Sequence, residues 1–141
     1  MQGNGLDLAA LDTKKGAEEG FQLELRHPTT KKPLGIWIHV LGSDSDAYRA
    51  HMDEVERQIS KAVIDERRTD FTHEEKQARE IEHLIAVTRG WSDNITLDGA
   101  KLSFSQDAAR KLYARFRWIR EQLDKAVHDR ANFLPSPGGG S

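Results

Sequence analysis

The chain has 141 residues, no cysteine, and a charged fraction of 31% whose signs nearly cancel to a net charge of −2. Lack of cysteine excludes disulfides, thiolate nucleophiles and Cys-ligated zinc or iron–sulfur sites, and the balanced charge gives no long-range attraction to a phosphate backbone. No apolar run approaches the roughly 20 residues of a membrane span. The opening MQGNGLDLAALDTKKG lacks the basic start and apolar stretch of a secretory signal, so the expected location is the cytoplasm.

Residues 1–19 carry Gly3, Gly5 and Gly16 among polar residues, with only Leu6, Leu8 and Leu11 to bury, and read as a flexible arm. From there to residue 134 the pattern is that of one α+β domain. Phe21, Leu23 and Leu25 alternate with polar residues, and after a Pro-containing connection Leu34 to Leu41 alternates again, which predicts a β-hairpin over 21–26 and 34–41. The second strand is apolar on both faces, Ile36, Ile38 and Val40 on one and Trp37, His39 and Leu41 on the other, so a cover is expected on each side.

Three amphipathic helices complete the expected fold. Ser43 or Asp44 is placed to cap the first, over about 44–68, whose stripe is Tyr48, Met52, Val55, Ile59 and Val63. Thr72 and Glu75 form a capping box, with Phe71 set for a hydrophobic staple, at the start of the second, 73–89, which Gly90 would stop. Asp98-Gly99 signals a tight turn, hence a small second hairpin. Ser105 opens the third helix, 105–132, with Ala108, Leu112, Phe116, Ile119, Leu123 and Val127 inward. Residues 135–141, PSPGGGS, read as a disordered Pro/Gly tail.

Catalytic constellations are sparse. Glu80 and His83 match one i, i+3 carboxylate–imidazole pair, but a catalytic zinc needs three protein ligands. Glu74-Glu75 fits dipole complementarity better than acid–base chemistry. Ser43-Asp44-Ser45-Asp46 lacks the Gly and distant Glu of a calcium loop. No enzymatic activity, cofactor or metal is expected. The informative residues are Trp118, Arg115, Arg117 and Arg120 on the last helix, with Trp37 and Trp91, because tryptophan and arginine together are the composition of protein-binding hot spots. The alternative is a small nucleic-acid-binding regulator using the Arg-rich face of that helix, Arg110 to Arg120 beside Tyr113, Phe116 and Trp118, which Glu121, Asp124 and Asp129 dilute.

Residues 20–134 resemble the tail assembly chaperones of long-tailed, siphophage-like bacteriophages and prophages. The resemblance lies in Trp91, Leu97-Asp98-Gly99, Phe104-Ser105, Leu112-Tyr113, Trp118-Ile119 with Glu121, and Arg130 with Asn132-Phe133-Leu134. The front half adds the "LEL-HP-T" strand, "PLGI" and "LGSDSDAYR". One departure is Arg117, where a Pro before the Trp is typical of the family. The resemblance implies a host-cytoplasmic factor absent from the finished virion, which coats the long helical tape-measure protein and recruits tail-tube subunits during tail morphogenesis, with self-association possible. It also implies two product lengths made by ribosomal frameshifting. Gly138-Gly139-Gly140 suits a glycine-coding slippery run and suits a GGGS linker equally.

Overall fold

The computed structural model describes residues 5–134, so the expected Pro/Gly tail over 135–141 lies outside the described residues. The hairpin forms from β1 (Phe21–Arg26) and β2 (Pro33–Val40), antiparallel, with Leu23 opposite Ile38 and Glu24 opposite Trp37. In its connection the His27 ring nitrogen accepts from the Thr29 and Thr30 amides, and Lys31 adopts a positive φ of 65°.

Ser45, not Ser43 or Asp44, caps α2 (Asp46–Asp65) by accepting the Tyr48 amide at 3.2 Å, so this helix starts later and ends earlier than the expected 44–68. Of its expected stripe only Val55 is fully buried, and Val63 with Ile64 is exposed, so the far end of α2 leaves the core. The capping box of Thr72 and Glu75 opens α3 (His73–Val87) as read. Phe71 makes no staple, since the fourth helical residue is Lys76. Its ring is instead flanked by the guanidiniums of Arg68 and Arg79, at 4.8 and 4.9 Å.

The later helices also depart from the sequence reading. The second helix stops at Val87, and β3 (Thr88–Trp91) adds to the sheet in the order β1-β2-β3, with Trp91 opposite Ile38. Gly90 therefore sits in a strand rather than in a helix cap, and Trp91 ends no helix. The turn into β3 is made by Thr88, whose hydroxyl reaches the Leu84 carbonyl at 2.7 Å and the Tyr113 hydroxyl at 2.9 Å. The expected third helix is two, α4 (Gln106–Arg115) and α5 (Arg117–His128), broken at Phe116 with φ −117° and ψ 96°. A 3-10 turn, Arg130–Phe133, follows. The stripe continues across the break, because Ile119, Leu123 and Val127 face the same core as Leu112, with Ala109 rather than Ala108 in the core cluster and Phe116 only partly buried. Asp98-Gly99 makes the small hairpin of β4 (Thr96–Leu97) and β5 (Ala100–Lys101), with φ of 53° and 84° at the two turn residues.

The expected arm is partly helical. Leu8–Leu11 is a 3-10 turn and α1 (Thr13–Glu19) packs on the C-terminal 3-10 turn, burying Ala17. The approach is close: a Cβ on Gly16 would overlap the Phe133 carbonyl, and one on Gly42 would meet Ala17 and the Phe133 ring. Asp44 completes the joint with two bonds to Arg130, at 2.8 and 3.0 Å. Three stretches distant in sequence thus close on one another at this end, each unable to bury its apolar surface alone.

Candidate protein-binding groove

The sheet has β1 and β3 as its edge strands, and the β1 edge borders the groove described below. The Trp37 carbonyl accepts from the Ser92 amide, and the Leu41 amide donates to Val87, so alternate residues of β2 turn their backbone toward β3. The residues between them, Ile38 and Val40, bond to Leu23 and Phe21 of β1. By alternation Gln22, Glu24 and Arg26 point their N–H and C=O groups away from the sheet. At Arg26 both groups are taken by one side chain: Gln122 of α5 accepts from the amide and donates to the carbonyl, each at 2.9 Å. Among the described residues no bond reaches the outward groups of Gln22 and Glu24.

Along this edge runs a groove of about 780 Å³, within the roughly 300–1,000 Å³ of ligand pockets. Its wall on α5 is one helix face at single-turn spacing, Trp118, Gln122 and Lys125, with Asp129 just past the helix end. Phe21, Leu23 and Ala126 supply apolar floor, and Trp37 closes the other side.

The six residues singled out from the sequence separate sharply. Trp37, 41% exposed on β2, and Trp118 both line the groove. Trp37's face of the strand, expected to be covered, is left half open. Trp118 rests edge-on against Phe116, ring centroids 6.1 Å apart, with the rest of its surface in the groove. Trp91 is elsewhere: its indole N–H donates to the Leu102 carbonyl at 2.9 Å and its ring meets Phe104, which pins the small hairpin to the sheet.

Arg120 is 5% exposed and cannot meet a partner. Its guanidinium donates to the Tyr113 carbonyl at 2.6 Å and lies near that of Ala114, so it satisfies the open carbonyls where α4 ends. Glu80 stands 3.8 Å from its Nε, a charge contact without a hydrogen bond. Arg115 is half-exposed and paired with Asp98 at 2.6 Å, and Arg117 is exposed beside Glu121 at 3.4 Å. Neither lines the groove. Arg110 pairs with Glu82 and Asp107, and Tyr113 is buried in the core with its hydroxyl pushed up by desolvation.

The remaining polar clusters have structural partners. His83 meets His51 across α2 and α3, ring nitrogens 2.8 Å apart, while Glu80 faces Arg120, so the Glu80–His83 pairing is not made. Burial holds both imidazoles below the ordinary value of 6.5. Beside them His128 contacts the Tyr48 hydroxyl and Asp124. Glu75, bonded to Arg68 and to the Thr72 amide, is drawn down to about 2, too low for proton transfer near neutrality. Asp44 is likewise drawn to about 2 by Arg130, and Asp46 pairs with Lys14. No group of three metal-ligating side chains occurs among the described residues, and no helix among them is long and apolar enough to cross a membrane.

No protein-family model matches the chain, nor does any curated protein or solved structure. The functional reading therefore rests on the groove and on the motif resemblance.

The groove was half legible. The alternation of β2 and the placement of Trp118 beside the stripe of the last helix pointed to two of its residues. Gln122 and Lys125 carry no sequence signal, because only the approach of α5 to the edge of β1 gives them a role.

Proposed function

We propose that this protein is a tail assembly chaperone of a long-tailed phage or prophage, which holds the tape-measure protein and brings tail-tube subunits to it in the host cytoplasm. The observation that carries the proposal is the meeting of Trp37 and Trp118, far apart in sequence, on one groove beside an unpaired strand edge. Aromatic residues half-sunk in a groove are the usual anchors of a protein-binding surface.

Two further points support the reading. Several residues that carry the resemblance have structural work: Arg130 and Phe133 close the joint with Asp44 and Gly42, and Asp98-Gly99 makes the turn. Arg117, where the family typically has Pro, is the first residue of α5, the helical position that best accepts Pro. Against a nucleic-acid role, Arg110, Arg115 and Arg117 each face a carboxylate and Arg120 is buried, which leaves Lys111 as the one cation of that face without an ion pair among the described residues.

The test is co-expression with the proteins encoded beside its gene. A tube protein and a very long tape-measure protein should be encoded there, and the tagged chain should capture both. A gene neighbourhood without a tape-measure protein, or no capture of either product, would overturn the proposal.

A further inference from the structure

The groove is bounded on one side by backbone, and that decides what it can hold. Gln22 and Glu24 each present an outward N–H and C=O two residues apart along β1, the repeat with which one strand binds another. At the next outward position, Arg26, the edge is already bonded to an amide, the side chain of Gln122 with its oxygen on the N–H and its nitrogen on the C=O. An amide making both bonds is what a neighbouring strand supplies. Gln122 thus completes the edge at one end and leaves two positions without a partner among the described residues.

We infer that the β1 edge receives an extended polypeptide segment as an added strand, bonded through main chain at Gln22 and Glu24 and flanked by Trp118 and Trp37. This rests on the reading of the groove as the partner-binding surface and specifies its mode. The segment alternates. Residues on the side of Phe21 and Leu23, which are half-buried and share their face with the core, are apolar; those on the side of Gln22 and Glu24 are polar. The lining mixes cations, Arg26, Lys31 and Lys125, with anions, Glu24, Glu121 and Asp129, which favours a segment without net charge.

A second copy of this chain does not fit. Pairing two β1 edges about a two-fold axis needs a self-complementary surface, whereas each edge lies beside the wall of its own α5. Two concave grooves cannot seat one another, but a single strand enters between β1 and α5.

The test uses the full chain and a labelled synthetic octapeptide alternating valine with threonine, compared with the same peptide N-methylated on alternate backbone nitrogens. The plain peptide should bind saturably below about 1 mM, and N-methylation should weaken it about tenfold or more, the effect of losing one or two main-chain bonds. Gln22→Pro removes an outward N–H that the sheet does not use, on an edge strand where proline is tolerated. It should weaken binding by about the same factor, while Gln22→Ala stays within about twofold. Should Gln22→Pro fail to fold, amide exchange decides in the unaltered chain: saturating peptide should slow exchange at Gln22 and Glu24 about tenfold, and unchanged exchange sinks the proposal.

If N-methylation and Gln22→Pro have no effect while Trp118→Ala weakens capture of the tape-measure or tube protein, the groove binds through side chains and strand addition is wrong. If neither matters, the groove reading itself fails. A peptide-free dimer dispersed by the peptide would make the occupant a second copy. A chain ending at Leu134 that binds where the full chain does not would put the chain's own last residues on the edge. Either result overturns the proposal.

Discussion

The two ends of β1 have opposite characters. Near its start, α1, the turn before α2 and the C-terminal 3-10 turn close against one another so tightly that Gly16 and Gly42 have no room for a Cβ. Along its outer edge, Gln22 and Glu24 have outward backbone groups that no bond reaches among the described residues, and two tryptophans stay partly exposed. Both regions hold residues of the motifs that mark the resemblance. Small residues and a buried phenylalanine make a joint that holds the chain's ends, whereas large aromatics and an unpaired edge leave a surface with unused binding capacity. Aromatic content alone does not separate the two; what each ring touches does.

The sharpest way to break this contrast is at Phe133. Phe133→Ala should cost about 3–5 kcal/mol of stability, as for a fully buried ring, measured by chemical denaturation. A loss below about 1 kcal/mol would mean that the joint is not part of the stable core.

Gly16→Ala sharpens it by sign. In an ordinary helix this change stabilises by up to about 1 kcal/mol. Here the added methyl collides with the Phe133 backbone, so a loss of about 1–3 kcal/mol is expected, and a gain in melting temperature would show that α1 does not dock as described.

On the open side the order of effects reverses. Trp118→Ala should remove its edge-on contact with Phe116 at about 1 kcal/mol of stability, yet weaken partner capture by about 2 kcal/mol or more. Parallel melts and pull-downs decide it. Unfolding on the scale of Phe133→Ala would place Trp118 in the core. Arg117→Ala, away from the groove, should leave both readouts within about 0.5 kcal/mol.

The smallest effect is on pH. Burial lowers His51 and His83, against the opposing pull of Glu82 and Glu54 on His51 and of Asp124 on His83; His51, Arg79 and His128 act with burial on His83. Their folded-state values lie below 6.5, so the unfolded chain takes up protons first. Stability is complete above that value and declines as pH falls through it. A second decline begins below the ordinary carboxylate values of 4.5 for Glu75 and 3.8 for Asp44, and continues toward about 2 as each loses its arginine partner. Denaturant midpoints across this range check both, and replacing His51 and His83 with Gln should flatten the upper decline alone.

What the sequence determined by itself was local. Alternation placed the hairpin, Thr72 and Glu75 set a helix start, Asp98-Gly99 made a turn, and the stripe from Ala108 to Val127 named core residues that stay inward across the break at Phe116. Each rests on neighbours within a few residues, where period and capping chemistry suffice. Tertiary structure alone decided the rest. Thr88–Trp91 became a strand because β2 offered an open side, overriding the helix stop that Gly90 suggested. Arg120, by charge a surface residue, went inside because α4 ended in carbonyls that needed a donor. The segment before Gly20 gained α1 because the C-terminal turn gave Ala17 something to pack on. Trp37 and Trp118 were visible as aromatic residues from the start, but their shared groove exists only because α5 lies along the edge of β1, a contact between residues 96 positions apart that no local pattern encodes.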